Sequence, residues 1–130
     1  MPKYTAIVTI LSVLLYFYFS TRVPVARRKF GVKLPAISGN PDFERVFRAH
    51  MNTLEWMPIF LPLLWLSAIY LNDPAAAAVG LIWIVGRAMY SAGYAAAVEK
   101  RSSGFFVQAV ACVLLLIGAI VGIAMRFTSG

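Results

Sequence analysis

From Ser102 to Met125 the chain reads SSGFFVQAVACVLLLIGAIVGIAM, 24 residues without a charged side chain. As an α-helix this run extends about 36 Å, enough to cross a bilayer core of about 30 Å. Three further runs have the same character. Tyr4–Thr21 is 18 residues, Trp56–Asn72 is 17, and Pro74–Val98 is 25 with Arg87 as its single interruption. Strands of a membrane barrel would be shorter and would alternate apolar with polar residues, which these runs do not. The expected fold class is therefore all-α integral membrane. One domain over 1–130 would form a four-transmembrane-helix bundle, with helices near 4–21, 42–71, 74–99 and 103–126.

Composition agrees. Of 130 residues, 61% are hydrophobic and 13% charged, against about 25% charged in a soluble domain. Cys112 is the only cysteine, so no disulfide framework exists. One histidine and one cysteine do not make a metal site, and no metal is expected. The net charge of +7 points, in such a chain, to membrane topology and anionic ligands rather than to nucleic acid.

Local signals mark the helix ends. Asn40-Pro41-Asp42 supplies an N-cap, a proline at the first helical position and an acid on the positive end of the helix dipole. Asp73-Pro74 repeats the device and predicts a tight turn between helices two and three. Arg22–Gly39, with Pro24, Gly31, Pro35 and Gly39, reads as the one long loop. Basic residues follow the first span where a cleavage site would be needed, so it reads as a retained helix. Arg22, Arg27, Arg28, Lys29 and Lys33 fall in loop one, and Lys100 and Arg101 in loop three. Lys3 and Arg126 stand alone at the other side. Loops one and three are therefore expected in the cytoplasm and both termini on the opposite side. Gly118 and Gly122 form a GxxxG suited to close helix packing.

The scarce polar residues carry the functional information. Arg48, Asn52 and Glu55 follow a spacing of 4 then 3, and so share one face of helix two. Arg87, Tyr90, Tyr94 and Arg101 recur at 3, 4 and 7 along helix three. A charge at a membrane-helix centre costs at least about 2.5–3.5 kcal/mol and calls for a partner or an aqueous cavity. Two readings of Glu55 and Arg87 are open, a structural ion pair or a shared ligand. The arginine surplus of Arg27, Arg28, Arg48, Arg87 and Arg101 over Glu55 favours an anionic ligand, because guanidinium binds carboxylates in bidentate fashion.

The stretch Arg27–Arg101 resembles the MAPEG family, the membrane-associated proteins in eicosanoid and glutathione metabolism. Its glutathione transferase and leukotriene C4 synthase branch, here in a bacterial form, is the nearest in pattern. The resemblance rests on Ala26-Arg27-Arg28, on GNPDFERVFRAH at Gly39–His50, and on Asn52, Glu55 and Pro58. It continues through Gly86-Arg87, Tyr90, Gly93-Tyr94, Lys100-Arg101 and Gly104-Phe105. It implies a homotrimer that binds glutathione between neighbouring subunits and conjugates it to a hydrophobic electrophile or lipid. Reduction of lipid hydroperoxides is a further activity on this pattern. By position, Arg27, Arg48, Asn52, Glu55, Trp56, Arg87, Tyr90 and Tyr94 would bind glutathione. Arg101 would stabilise the thiolate, with Arg28 near the reacting end.

Three residues depart from the pattern. Trp56 stands where the leukotriene synthases have tyrosine, and His50 where several members have glutamine. Val113 replaces a tryptophan that clamps the lipid tail, which argues against leukotriene synthesis. Two other functions stand beside the transferase. One is a non-catalytic lipid-binding member of the same fold, which retention of Arg48, Asn52, Glu55 and Arg101 disfavours. The other is a small four-helix multidrug exporter, which needs a carboxylate in its first helix where this chain has none.

Overall fold

The computed structural model describes residues 1–129. Among them are four long helices, α1 (Lys3–Phe30), α2 (Pro41–Tyr70), α3 (Asp73–Ala96) and α4 (Ser102–Thr128), with a single 3₁₀ turn at Val98–Arg101 before α4. No strand occurs among the described residues. All four helices are long and apolar enough to cross a membrane, which suits an integral multi-pass protein.

The start of α2 follows the sequence signal, whereas α3 starts one residue earlier than expected, with Asn72 rather than Asp73 as its cap. Asn40 Oδ1 accepts from Phe43 N at 3.0 Å, and Asn72 Oδ1 accepts from Ala75 N at 2.8 Å. Each cap precedes a proline in the first turn, where the missing N–H costs nothing. Helix α2 runs unbroken through Pro58 and Pro62.

The first helix differs from expectation. It continues nine residues past Thr21, through Pro24, and ends at Gly31 in the left-handed region at φ 71°. The charge-free run measured the apolar span, not the helix. Val25 to Phe30 keep the α-conformation, and Arg27, Arg28 and Lys29 fill the last turn, where cations complement the negative end of the dipole. Those three residues thus sit on α1, and only Gly31–Asn40 connects it to α2. Helix α3 is shorter than expected, because Ala97 turns to extended backbone and the chain re-enters the bundle through the 3₁₀ turn.

The core lies between α2, α3 and α4, where Phe60 and Trp83 stack with centroids 3.8 Å apart. Small residues set the helix spacing. A Cβ on Gly104 would lie 2.1 Å from Tyr90 N, and one on Gly86 would lie 2.6 Å from Gln108 N, so α3 and α4 touch backbone to backbone. Gly118 and Gly122 press against Ser67 and Tyr70 of α2. The GxxxG therefore packs helices within the subunit. Helix α1 is joined by two polar contacts. Trp65 Nε1 donates to Thr9 Oγ1 at 3.0 Å. The Asp73 carboxylate accepts from Thr5 N at 2.9 Å and Tyr4 N at 3.1 Å.

Candidate active site

The up-and-down order of the helices puts the last turns of α1 and α3 and the first turns of α2 and α4 at one end of the bundle. Below that end, polar residues from α2, α3 and the 3₁₀ turn form one connected group. Arg87 is fully buried; its Nη1 donates to Asn52 Oδ1 at 3.0 Å and its Nη2 to Thr53 Oγ1 at 2.7 Å. Asn52 Nδ2 in turn donates to Glu55 Oε1 at 3.5 Å. The Arg87 guanidinium covers the Tyr90 ring at 4.3 Å. Tyr90 meets Tyr94 edge-on at 5.5 Å, and the Arg101 guanidinium lies 5.6 Å from the Tyr94 ring.

An aromatic wall closes the side facing α4. Trp56 meets Phe105 edge-on at 5.6 Å, and Phe105 lies 6.0 Å from Tyr90. The backbone contact at Gly104 places Phe105 there, since any side chain at 104 would push α4 away from Tyr90. Asn52, Glu55, Trp56, Arg87, Tyr90, Tyr94 and Arg101 are thus brought together.

Arg27, Arg28 and Arg48 are not in contact with this group. Arg27 Nη1 donates to Ala36 O at 2.6 Å and its guanidinium covers Phe43 at 4.8 Å, so it secures the 31–40 connection. Arg28 is exposed on the outer surface of α1. Arg48 is exposed one turn before Asn52, on the same helix. The open question on Glu55 and Arg87 also has an answer. Glu55 is exposed, and among the described residues Arg87 forms no ion pair. Two neutral side chains hold the buried arginine, leaving the carboxylate of Glu55 free to meet a cation from outside.

Two residues of the group escaped the sequence reading. Thr53 follows Asn52 directly, and its hydroxyl also donates to Ala49 O, an ordinary role for a helical threonine. Nothing in its spacing marks it as the arginine's partner. Phe105 follows Gly104 in the family-like motif, and that pairing was its available signal. The group offers an exposed carboxylate for an ammonium, an amide, an exposed guanidinium at Arg48, and a further guanidinium, Arg101, above an aromatic surface. No three His, Cys, Asp or Glu side chains converge among the described residues.

The MAPEG family model matches residues 5–121. The chain belongs to the MAPEG family. It is 43% identical to leukotriene C4 synthase of Rattus norvegicus, over 96% of this chain and 83% of that protein. It is 44% identical to microsomal glutathione S-transferase 2 of Homo sapiens, over 94% of this chain and 83% of that protein. A protein of the bacterium Synechocystis shares 45% identity over 91% of this chain and 86% of its own length.

Proposed function

We propose that this MAPEG protein is a membrane-bound glutathione transferase that joins the glutathione thiolate to hydrophobic electrophiles. The observation that carries the reading is the unbroken chain of contacts from Glu55 through Asn52, Arg87, Tyr90 and Tyr94 to Arg101. Its relatives named glutathione S-transferase and leukotriene C4 synthase support the same class of chemistry.

Glutathione has one ammonium, two carboxylates and a thiol, and the site offers a counterpart to each. The Glu55 carboxylate pairs with the ammonium. Arg48 supplies a guanidinium for a carboxylate, and Asn52 hydrogen-bonds the peptide. A free thiol has a pKa near 8.5, so only a few per cent is thiolate at neutral pH, and the thiolate is the nucleophile. Arg101 keeps its proton throughout, and its fixed charge within reach of the sulfur favours the anion. The thiol proton leaves to water. The sulfur then forms a bond to the electrophilic carbon, and the bond to the leaving group breaks or an epoxide ring opens. Toward a lipid hydroperoxide, the same thiolate attacks the terminal oxygen and the O–O bond breaks, and the departing alkoxide takes a proton from water and leaves as the alcohol. A second glutathione then reduces the sulfenic product to disulfide and water.

In this reading residues 1–130 act as one membrane domain within a homotrimer. Arg27 and Arg28 lie outside the group in their own subunit, and they complete the site of a neighbouring copy. The end that carries the site faces the cytoplasm, where the basic residues of α1 and the 3₁₀ turn favour it. The test is spectroscopic. Purified protein in detergent should develop thiolate absorbance when glutathione is added, and Arg101→Ala should abolish that signal while calorimetric binding remains. No heat of glutathione binding to the wild-type protein would sink the reading.

A further inference from the structure

A cavity of the subunit lies apart from the polar group. It occupies about 580 Å³ between α1, α2 and α3, within the roughly 300–1,000 Å³ of ligand pockets. Leu15 and Phe19 of α1, Val46 and Ala49 of α2, and Ala88 and Ala92 of α3 make its walls apolar. None of Arg48, Asn52, Glu55, Tyr90, Tyr94 and Arg101 lines it.

Five charged or titratable groups face this groove, Tyr18, Arg22 and Lys29 from α1 and Asp42 and His50 from α2; α3 contributes none. Asp42 is engaged by Arg45, and it forms no ion pair with Arg22 or Lys29. Arg22 and Lys29 lie over aromatic rings, Tyr18 and Phe30, each at 5.3 Å. Among the described residues neither forms an ion pair. Two residues that line the groove, Ser91 and His50, each bury a polar atom without a hydrogen-bond partner, Oγ and Nδ1. Ser91 is only 8% exposed, and a buried polar atom without a partner is costly.

We infer that this groove binds an acidic membrane lipid. One acyl chain lies against the valine and alanine walls, and the headgroup phosphate meets Arg22 and Lys29. The two cations select the headgroup, because an acidic lipid satisfies both, whereas a zwitterionic one brings an ammonium against them. The site is independent of glutathione and of Arg101.

The probes are phosphatidylglycerol and phosphatidylcholine. Protein reconstituted with an equal mixture is transferred to detergent, and the lipid retained is counted by native mass spectrometry. Wild type should retain phosphatidylglycerol about thirtyfold over phosphatidylcholine, the scale expected for two basic side chains at a lipid surface. Arg22→Gln with Lys29→Gln should remove the preference. Ala92→Trp, which fills the groove and keeps both charges, should remove retention itself. Equal retention of the two lipids by wild type overturns the inference, as does retention unchanged in both variants. Lipid retained by Ala92→Trp together with loss of the oligomer overturns it as well, since a second copy of the chain would then occupy the groove. Glutathione calorimetry on the same variants should match wild type, which keeps this result separate from the transferase reading.

Discussion

Arg87 and Thr53 form a buried contact between α3 and α2, the guanidinium Nη2 donating to the threonine hydroxyl at 2.7 Å. The arginine is fully covered and has no carboxylate partner among the described residues. Its charge is held by one hydroxyl, one amide and the face of Tyr90. Because Nη1 of the same guanidinium also holds Asn52, the orientation of an amide facing the site depends on a threonine pointing into the core.

Thr53→Val keeps the shape and removes the acceptor. A hydrogen bond to a charged group contributes about 1.5–3 kcal/mol, and the buried N–H would be left unpaired. Thermal unfolding in detergent should show a destabilisation of that order. Glutathione affinity by calorimetry should fall with it, because Asn52 loses its support. Thr53→Ser restores the oxygen and should recover both; a Thr53→Val protein as stable as wild type would show the contact to be idle.

Asp73 joins two helices at the opposite end. Its carboxylate accepts from the backbone of Tyr4 and Thr5, and so caps the first turn of α1 from α3. Asn72 caps α3 by itself, so Asp73→Ala tests the junction rather than the helix on which it resides. Loss of a cap costs about 0.5–2 kcal/mol. The expected result is a lower unfolding temperature and faster amide exchange confined to the first turns of α1, with glutathione binding unchanged. Asp73→Asn, which keeps one acceptor oxygen, should fall between.

The class of fold was legible in the sequence because the cost of a charge in lipid is large and leaves charge-free runs of recognisable length. The cap at Asn40 was legible from its Asn-Pro-Asp run, whereas at the start of α3 the cap falls on Asn72, one residue before the expected Asp73, whose carboxylate turns to α1 instead. The end of α1 was not legible, because the charge-free run ends at Thr21 while the helix does not; the helix stops at Gly31, where the backbone turns left-handed. In the site, periodicity aligned Asn52 with Glu55 and Arg87 with Tyr90 correctly, since those pairs share a helix. The partner of Arg87 was out of reach. Glu55 was its nearest opposite charge in sequence logic, yet the rotation of α2 against α3 presents Thr53. The direction of the Gly118 and Gly122 face was equally hidden, because a small-residue stripe fits a neighbouring subunit as well as α2.

Phe105 bridges Trp56 and Tyr90 at the edge of the site. An aromatic pair contributes about 0.5–1.5 kcal/mol beyond the area it buries. Phe105→Leu keeps an apolar side chain and removes both ring contacts. Glutathione should then bind about fivefold more weakly, corresponding to about 1 kcal/mol, and the thiolate signal at saturation should persist because Arg101 is intact. Loss of the thiolate signal at full occupancy would mean that Phe105 acts on the sulfur rather than on the wall.

Gly104 gives the sharpest contrast between two glycines. A methyl group there would meet Tyr90 N at 2.1 Å, with the Met89 carbonyl carbon at 2.7 Å, and both obstacles are backbone. Neither yields by rotating a side chain, so α4 must move away from α3. That movement carries Arg101, Phe105 and the Tyr90 contact with it. Gly104→Ala should therefore cost at least the upper part of the overpacking range, about 3 kcal/mol. Gly31 ends α1 at φ 71° with open space around its Cβ position, so Gly31→Ala pays only the left-handed strain of about 1–2 kcal/mol. The two variants separate in a second measurement. Gly31→Ala should bind glutathione and form thiolate as wild type does, whereas any folded fraction of Gly104→Ala should lose the thiolate. A Gly104→Ala protein with wild-type stability and signal would mean that α3 and α4 do not approach this closely at Tyr90.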